Sequence, residues 1–463
     1  MKLTVVGGGS TYTPELADGI ARLALPVEEI VLVDPDSHRL GLVGGVTSRI
    51  VAAYGHQAKV RGTGDLDDGL DGADAVIVQL RIGGQAARQR DETWPLECGC
   101  VGQETTGAGG LAKAMRTVPV VLEIAERARR RAPSAWIIDF TNPVGIVTRA
   151  LLDAGHRAVG LCNVAIGFQR RFAGLLGVTP ERVTLDHVGL NHLSWERAVI
   201  VARADGTGPA DLAAGAGRAA GAGLAAGADR AAGADRAAGA DLAAGADRLP
   251  YLLDTHADDI AADIGLPAGF VRWLGAVPSY YLRYYYAHDA VVAEQRGAVS
   301  RAEQVAGLER ELLAMYADPA LDHKPALLGE RGGAYYSEAA VALIASLATG
   351  AGDVQVVNVR NNGTLPFLPD DAVIEAPARI RGTGAVPLSA APVQPLLAGL
   401  ITHVCAYEEL ALDAAVRGGR DRVFAALLAH PLVGQVDAAG WLADRLIAEN
   451  RAHLAWAGRA GAG

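Results

Sequence analysis

Short apolar runs alternate with helical periodicity through the first third of the chain. The runs at 3–8 (LTVVGG), 30–34 (IVLVD), 73–80 (ADAVIVQL) and 136–140 (WIIDF) are nearly uninterrupted and rich in β-branched residues, which is typical of buried parallel strands. Helical patterns at about 14–25 and 110–132 lie between them. This order predicts an α/β fold, with a Rossmann-type, doubly wound parallel sheet over residues 1–165.

The pattern changes beyond about residue 165. Strand-like runs at 196–203 and 354–360 mix with helical stretches at 300–316, 335–349 and 391–417. We therefore expect residues 166–463 to form a mixed α/β domain that carries the substrate, metal and oligomerisation surfaces.

Residues 213–248 consist of six tandem hexads, each AAGADR or a close variant. Six residues turn a helix by a net angle of roughly 240°, so the repeat builds no apolar stripe. The unit is also shorter than the roughly 20–50 residues of a solenoid repeat. We expect a low-complexity surface insertion without a role in activity.

Composition narrows the class of protein. No apolar run in the 463 residues reaches the roughly 18–20 residues of a membrane span, and the N-terminus lacks the features of a secretory signal. A net charge of −10 argues against a general nucleic-acid binder. The four cysteines (Cys98, Cys100, Cys162 and Cys405) are too few for a disulfide scaffold and favour a cytoplasmic protein. Cys98 and Cys100 lack the usual C-x-x-C spacing, so we expect them to be structural.

The segment GGGSTYTPE (7–15) joins a predicted strand to a predicted helix, which is the context of a dinucleotide-binding loop. Gly7 and Gly9 fit the first two fingerprint positions, whereas Tyr12 occupies the third. Asp34 ends the next strand and suits a ribose hydroxyl, which favours NAD over NADP. A glycine turn without a ligand remains the alternative. The expected cofactor contacts are Gly7, Gly8, Gly9, Ser10, Thr11 and Asp34.

Several later segments place reactive residues at predicted strand ends or in glycine-rich loops. Asn142 lies in FTNPVG, Cys162 in GLCNVAIG and His192 in GLNHLSW. A thiolate and an imidazole are suited to a divalent transition metal. Taken singly, a buried cysteine and a hydrogen-bonded histidine explain these residues equally well. The tyrosine run PSYYLRYYY (278–286) is likewise compatible with a structural role.

Seven segments are informative as a set: GGGSTYTPE, VGQETTGAGG, TNPVG, CNVAIG, GLNHLSW, YLRYY and VRNNG. Their order and spacing resemble glycoside hydrolase family 4, and within it the 6-phospho-β-glucosidases. The resemblance runs to about residue 450, apart from the hexads. It implies a lactate/malate dehydrogenase-like fold, NAD and Mn²⁺ or another divalent metal as cofactors, and a homodimer or homotetramer. It also implies hydrolysis through C3 oxidation, C2 deprotonation, elimination, water addition and re-reduction, outside the paired-carboxylate scheme of most glycosidases.

The resemblance also implies roles for individual residues. Cys162 and His192 would be the metal ligands, Tyr281 the base at C2, and Glu104 a group that increases the basicity of the tyrosine. The substrate-binding positions would be Arg88, Asn142, Asn163 and Arg301, with Arg301 the best candidate for the sugar phosphate because a guanidinium offers a planar donor fork.

Two residues depart from the family pattern. Members that act on α-glycosides carry Asp where this chain has Asn163, which favours a phosphorylated β-glucoside and leaves the leaving-group acid unassigned. Ala165 stands where proline is expected. The alternatives are a family hydrolase acting on an α-glycoside, an unphosphorylated sugar or a uronide, a lactate/malate-type dehydrogenase, and a non-catalytic NAD-binding scaffold.

Overall fold

A computed structural model describes residues 1–202, 245–332 and 335–457 of the chain. The strands within these ranges are β1 Lys2–Val6, β2 Glu29–Val33, β3 Lys59–Thr63, β4 Ala75–Val78, β5 Trp136–Asp139, β6 Ala158–Gly160, β7 Val183–Leu190, β8 Leu193–Val201, β9 Ala246–Asp247, β10 Val277–Pro278, β11 Val354–Arg360, β12 Val373–Arg381 and β13 Gly384–Pro387. The helices are α1 Thr13–Arg22, α2 Ser37–Ala53, α3 Leu66–Leu70, α4 Gly84–Glu97, α5 Gly107–Arg131, α6 Val144–Asp153, α7 Val164–Leu176, α8 Leu249–Thr255, α9 Ala257–Ile264, α10 Ala268–Leu274, α11 Arg283–Tyr286, α12 His288–Arg296, α13 Arg301–Tyr316, α14 Tyr336–Thr349, α15 Pro395–Arg417, α16 Arg420–Ala429 and α17 Val436–Asn450.

The central feature is a nine-stranded sheet in the order β13-β12-β11-β6-β5-β4-β1-β2-β3. Its strands β3, β2, β1, β4, β5 and β6 pair in parallel. The order 3-2-1-4-5-6 is that of a dinucleotide-binding Rossmann sheet, so the predicted fold class is confirmed.

The predicted apolar runs mark β1, β2, β4, β5 and β11 to within a few residues, whereas β3, β6, β12 and β13 of the same sheet lie outside them. The run at 354–360 coincides with β11, whereas the run at 3–8 yields a strand that ends at Val6. The difference arises because Gly7 adopts φ +87°, which turns the chain out of the extended conformation. The helical stretches at 300–316, 335–349 and 391–417 correspond to α13, α14 and α15.

Strands from beyond residue 165 complete the same sheet. β11 pairs antiparallel with β6 through Asn358 and Gly160, and β12 and β13 follow in antiparallel order. A second sheet of β10, β8 and β7, with β9 at the side of β8, packs against β12 through β7. The division of the chain at about residue 165 stays a prediction.

The sheet separates two hydrophobic clusters. Val5 packs in a cluster with α1 and α14, whereas Val6 packs in a larger one with α5, α6 and α15 to α17, because neighbouring side chains of a strand point to opposite faces. Within the described residues, no helix is long and apolar enough to span a membrane.

Most of the hexad segment, residues 213–244, lies outside the described residues. Its last four residues are described, and two of them, Ala246 and Asp247, form β9 at the surface and pair with Val201 and Ile200. The expectation of a surface insertion stays a prediction. The Asp247 carboxylate accepts hydrogen bonds from the backbone N–H groups of Val199 and Leu249, both at 2.9 Å. The repeat therefore ends inside a structural element that sequence periodicity did not reveal.

Candidate active site

The loop after β1 lies closely against the sheet because its glycines have no side chains. A Cβ on Gly7 would come within 2.4 Å of the Gln79 carbonyl oxygen, and one on Gly8 within 2.7 Å of the Leu32 Cβ. A Cβ on Gly9 would lie 2.8 Å from the Asp34 carboxyl carbon. Only glycine permits this approach, and the loop leads directly into the N-terminus of α1, where a phosphate is favoured.

The predicted cofactor residues fit a dinucleotide. The Gly9 N–H donates to Asp34 Oδ2 at 3.0 Å, which fixes the carboxylate at the end of β2. Ser10 accepts a hydrogen bond from the Tyr12 N–H, and the buried Thr11 Oγ1 has no hydrogen-bond partner among the described residues. A buried hydroxyl without a partner beside a glycine loop is suited to a pyrophosphate oxygen.

The carboxyl ends of β5 and β6 carry the next two predicted residues. Asn142 follows β5, and its Oδ1 is buried without a hydrogen-bond partner in the described part of the chain. Cys162 follows β6 and is buried, and Asn163 precedes the first residue of α7. Because β5 and β6 are parallel neighbours, all three residues lie at the same sheet edge as the glycine loop.

His192 and Tyr281 meet beside the second sheet, His192 in a strand turn and Tyr281 in a short 3-10 helix, Tyr280–Leu282. His192 occupies the turn between β7 and β8 with φ +64°, and its ring stacks on Tyr281 with centroids 3.7 Å apart and planes 15° apart. Tyr281 also packs against the hydrophobic cluster that contains the buried Cys162. The structure thus brings Cys162, His192 and Tyr281 into one cluster.

The hydrogen bonds around His192 define its tautomer. The Thr105 backbone N–H donates to Gln103 Oε1 at 2.6 Å and its hydroxyl donates to the same oxygen at 3.0 Å. That hydroxyl therefore accepts from His192 Nδ1, 3.1 Å away. Nδ1 carries the proton, and Nε2 makes no hydrogen bond to any described residue. This is the arrangement of a metal-binding histidine whose orientation is set by a neighbouring group.

Cys162 and His192 suit a divalent metal whose remaining ligands come from the substrate and water. Cys162 offers sulfur and His192 offers nitrogen, a combination favoured by transition metals. Burial and the Glu375 carboxylate raise the pKa of the Cys162 thiol well above its ordinary range, and a bound cation would restore the thiolate. Among the residues that the structure describes, no group of three or more His, Cys, Asp or Glu side chains could hold a metal by itself.

Glu104 lies among three cations. Its carboxylate contacts Arg81, Lys113 at 2.7 Å and Arg88 at 3.2 Å. Burial acts to raise its pKa, but these three charges hold it well below the usual range. Within the described ranges Glu104 makes no hydrogen bond to Tyr281, so any influence of this carboxylate on the tyrosine acts through charge.

Arg88 and Arg301 form the candidate phosphate site. Arg88 Nε lies 2.7 Å from Glu92 Oε1, while Arg301 donates to the Glu330 carbonyl at 2.7 Å and to Gln304 at 3.2 Å. Burial, followed by the charge of Arg88, lowers the pKa of Arg301. Glu92, which pairs with Arg88, also accepts a hydrogen bond from the Ala302 N–H at 2.8 Å, so one carboxylate links Arg88 to the start of α13, where Arg301 lies. Two neighbouring guanidinium groups are suited to a phosphate.

Sequence reasoning missed a buried polar network beside Cys162 and His192. His187 lies 2.8 Å from Glu196 and 3.1 Å from Glu375, whose second oxygen accepts from Asn191 at 2.9 Å and from Asn358 at 3.0 Å. Asn191 directly precedes His192, and its side chain acts to lower the pKa of the Cys162 thiol, against the stronger effects of burial and Glu375. The available signal was a polar residue inside an apolar strand, as in VVNV and VIEA.

Known proteins resemble this chain along nearly its whole length. The family described as "Family 4 glycosyl hydrolase" matches residues 2–178, and its C-terminal domain matches residues 235–433. A probable 6-phospho-beta-glucosidase of Bacillus subtilis is 34% identical and covers 98% of this chain and 97% of its own length.

Solved structures agree with this similarity. The 6-phospho-beta glucosidase of Thermotoga maritima, solved with manganese, NAD⁺ and glucose-6-phosphate, is 30% identical with a TM-score of 0.84 and covers 98% of this chain and 99% of its own. A lactate dehydrogenase of Cryptosporidium parvum reaches a TM-score of 0.50 at 15% identity, with 89% and 98% of the two chains covered, and shares the fold alone.

Proposed function

This chain belongs to family 4 of the glycosyl hydrolases, and we propose that it hydrolyses 6-phospho-β-glucosides to glucose 6-phosphate and an aglycone, using NAD and a divalent cation such as Mn²⁺. The observation that carries the proposal is the cluster of Cys162, His192 and Tyr281 beside the sheet edge that holds the glycine loop. Such a cluster would provide a C2 base and two metal donors beside a nicotinamide site.

Each cofactor supplies one kind of chemistry. When bound, NAD would oxidise the C3 hydroxyl and later return the hydride, and the divalent cation would act as a Lewis acid on the sugar oxygens. Cys162 and His192 Nε2 would hold the cation. The Gly7–Thr11 loop and Asp34 would hold NAD.

Tyr281 is proposed to remove the proton at C2. The stack on His192 holds its ring beside the metal donors, so its hydroxyl has a fixed position relative to a sugar bound there. Burial raises the pKa of Tyr281, and a nearby cation would lower it toward the working range. The three cations around Glu104 balance its charge and keep this buried carboxylate ionised near His192.

Arg88, Arg301, Asn142 and Asn163 are the proposed substrate contacts. Arg301 offers a planar fork to a phosphate, and the Asn142 Oδ1 without a partner offers an acceptor for a sugar hydroxyl. Asn163 cannot serve as an ionisable acid for the leaving group, which supports the β-glycoside as substrate.

A substrate panel tests this function. We expect turnover of p-nitrophenyl β-glucoside 6-phosphate only with both NAD and Mn²⁺, and little turnover of its α-anomer or of the unphosphorylated β-glucoside. Turnover of the α-anomer instead would show that the protein is a family hydrolase specific for α-glycosides. Accumulation of NADH in step with substrate consumption would identify a dehydrogenase and refute the proposal.

Two further expectations accompany the proposal. Cytoplasmic location is supported by the four free cysteines, which suit a reducing compartment. A homodimer or homotetramer stays a prediction, which sedimentation of the purified protein tests.

A further inference from the structure

Two thiols are in contact between α4 and the Glu104 loop. Cys98 is the first residue after α4 and is half-buried, whereas Cys100 is buried. Their sulfur atoms lie 3.7 Å apart, and the Cys98 thiol also lies 3.4 Å from the Pro95 carbonyl oxygen. Gly99 between them has φ +78°, a conformation that folds the short segment back on itself and suits glycine.

We propose that Cys98 and Cys100 form a reversible redox site, which closes to an intramolecular disulfide when it meets a small-molecule disulfide such as oxidised glutathione. A disulfide needs a sulfur separation of about 2.05 Å, so the two sulfurs must approach by only about 1.7 Å from their present contact. Part of that approach is available by side-chain rotation, because Cys98 is half-buried and adjoins a glycine.

The chemistry proceeds as thiol–disulfide exchange. The contact between the two thiols lowers the pKa of Cys98 to about 7 and raises that of the more buried Cys100, so Cys98 is the attacking thiolate. That thiolate attacks one sulfur of oxidised glutathione and expels the other as glutathione thiolate. Cys100 then loses its proton and attacks the Cys98 sulfur, expelling the second glutathione. The two protein thiols are oxidised, and one external disulfide is reduced to two thiols.

The site is linked to the active site through the chain that follows it. Val101 packs with Val291, Val292 and Leu432, and the backbone of Gly102 makes two hydrogen bonds to the Gln295 side chain, at 3.0 and 2.9 Å. Glu104 and Thr105 come next, with their contacts to Arg88 and His192. Drawing Cys100 toward Cys98 pulls on this segment, so we infer that oxidation displaces Glu104 and Thr105.

The effect on turnover rests on the proposed function, whereas disulfide formation does not. A misplacement of about 1 Å in an active site can cost roughly 100-fold in rate, so we expect a displacement of up to that size to lower the turnover of the oxidised protein by about 10- to 100-fold, with recovery in dithiothreitol.

The test equilibrates the reduced full-length protein in glutathione buffers of increasing oxidation and reads it by intact mass and by alkylation mapping. The expected result is a loss of two hydrogens in mass, with Cys98 and Cys100 protected from alkylation. The rate of amide hydrogen exchange should differ between the oxidised and reduced protein at residues 101–106 and remain the same elsewhere. Cys98→Ser and Cys100→Ser should prevent the mass change, while Cys405→Ser, a buried thiol elsewhere, should leave it intact.

Three results would overturn the proposal. Free thiols at both positions in fully oxidised buffer would refute the redox site, as would a stable glutathione adduct on Cys98 that never closes. A disulfide that forms without altering exchange at 101–106 would refute the link to the active site. If the protein hydrolyses no phosphoglucoside in either state, the mass and exchange results still decide both points, and only the proposed function fails.

Discussion

Replacing Tyr281 with phenylalanine separates base catalysis from packing. The ring of Tyr281 stacks on His192 at 3.7 Å and lies 4.7 Å from the ring of Tyr280. Phenylalanine retains these ring contacts and removes only the hydroxyl, so we expect the free energy of unfolding to change by no more than about 1 kcal/mol. NAD affinity should also stay unchanged, because no contact among the described residues joins Tyr281 to the glycine loop.

The rate should respond far more strongly. A positioned general base typically contributes about 10²–10⁴ in rate, which corresponds to about 3–5 kcal/mol in the barrier. Tyr280→Phe and Tyr284→Phe are matched controls, since their rings flank Tyr281 at 4.7 and 6.2 Å and carry the same hydroxyl. We expect kcat to fall by about 10²–10⁴ for Tyr281→Phe and by less than about tenfold for the two controls.

Turnover in D₂O tests the mechanism independently of the rate. If C2 loses its proton to a group in exchange with solvent, the product sugar should carry deuterium at C2. Neither a dehydrogenase nor a direct-displacement glycosidase has a reason to exchange that position. Product without C2 deuterium refutes the elimination mechanism. Deuterium in the product together with a fully active Tyr281→Phe enzyme refutes only the assignment of the base.

The remaining predictions concern the metal site, the buried network and the hexad segment. The variants Cys162→Ser and His192→Ala should lose Mn²⁺-dependent turnover. Both should bind NAD with the affinity of the parent protein, measured by calorimetric titration. Full turnover after chelation and readdition of Mn²⁺ would contradict the ligand assignment. Glu375→Gln should weaken Mn²⁺ binding by about 10–100-fold, because Glu375 holds Asn191, which directly precedes the proposed ligand His192. The electron paramagnetic resonance of free Mn²⁺ measures this, and an unchanged Kd would show that the network does not act on the site. Burial acts to lower the pKa of His187, but Glu196 and Glu375 raise it from 6.5 to about 10. The contribution of the charged His187 to the free energy of unfolding should therefore be complete below pH 6.5 and disappear as pH rises through 10. Urea unfolding of the parent and of His187→Gln should show a difference that shrinks over that range, and a constant difference would exclude a charged His187. Deleting residues 213–244 should keep specific activity within about threefold, because Val201 and Gly245 on either side are joined by a 3.0 Å hydrogen bond, and a collapse of activity in a folded protein would reveal a role for the segment.

Five strands of the sheet and the main helices could be predicted from the sequence, because buried parallel strands are uninterrupted apolar runs and the helices have an apolar period of about 3.6 residues. β11 coincides with its apolar run. β1 ends at Val6, directly before the run of glycines, because Gly7 turns the chain. The strand ends also located Asn142 and Cys162 correctly, since parallel strands deliver their carboxyl ends to a single edge.

Periodicity was a poor guide where a segment is too short to display it. The hexad pattern predicted an insertion through residue 248, yet Asp247 anchors β9 with two hydrogen bonds to backbone N–H groups. A strand of two residues has no period, and its existence depends on a partner, β8, that lies far away in the sequence.

Contacts between distant residues were decided by the tertiary structure alone. Glu375 reaches His187 across 188 positions, and that pairing depends on β11 joining the edge of the parallel sheet at Gly160. The stack of His192 on Tyr281 and the three cations around Glu104 have the same origin. A sequence identifies which residues favour burial and which can do chemistry, but the energy of a buried charge depends on partners that only the closed fold supplies.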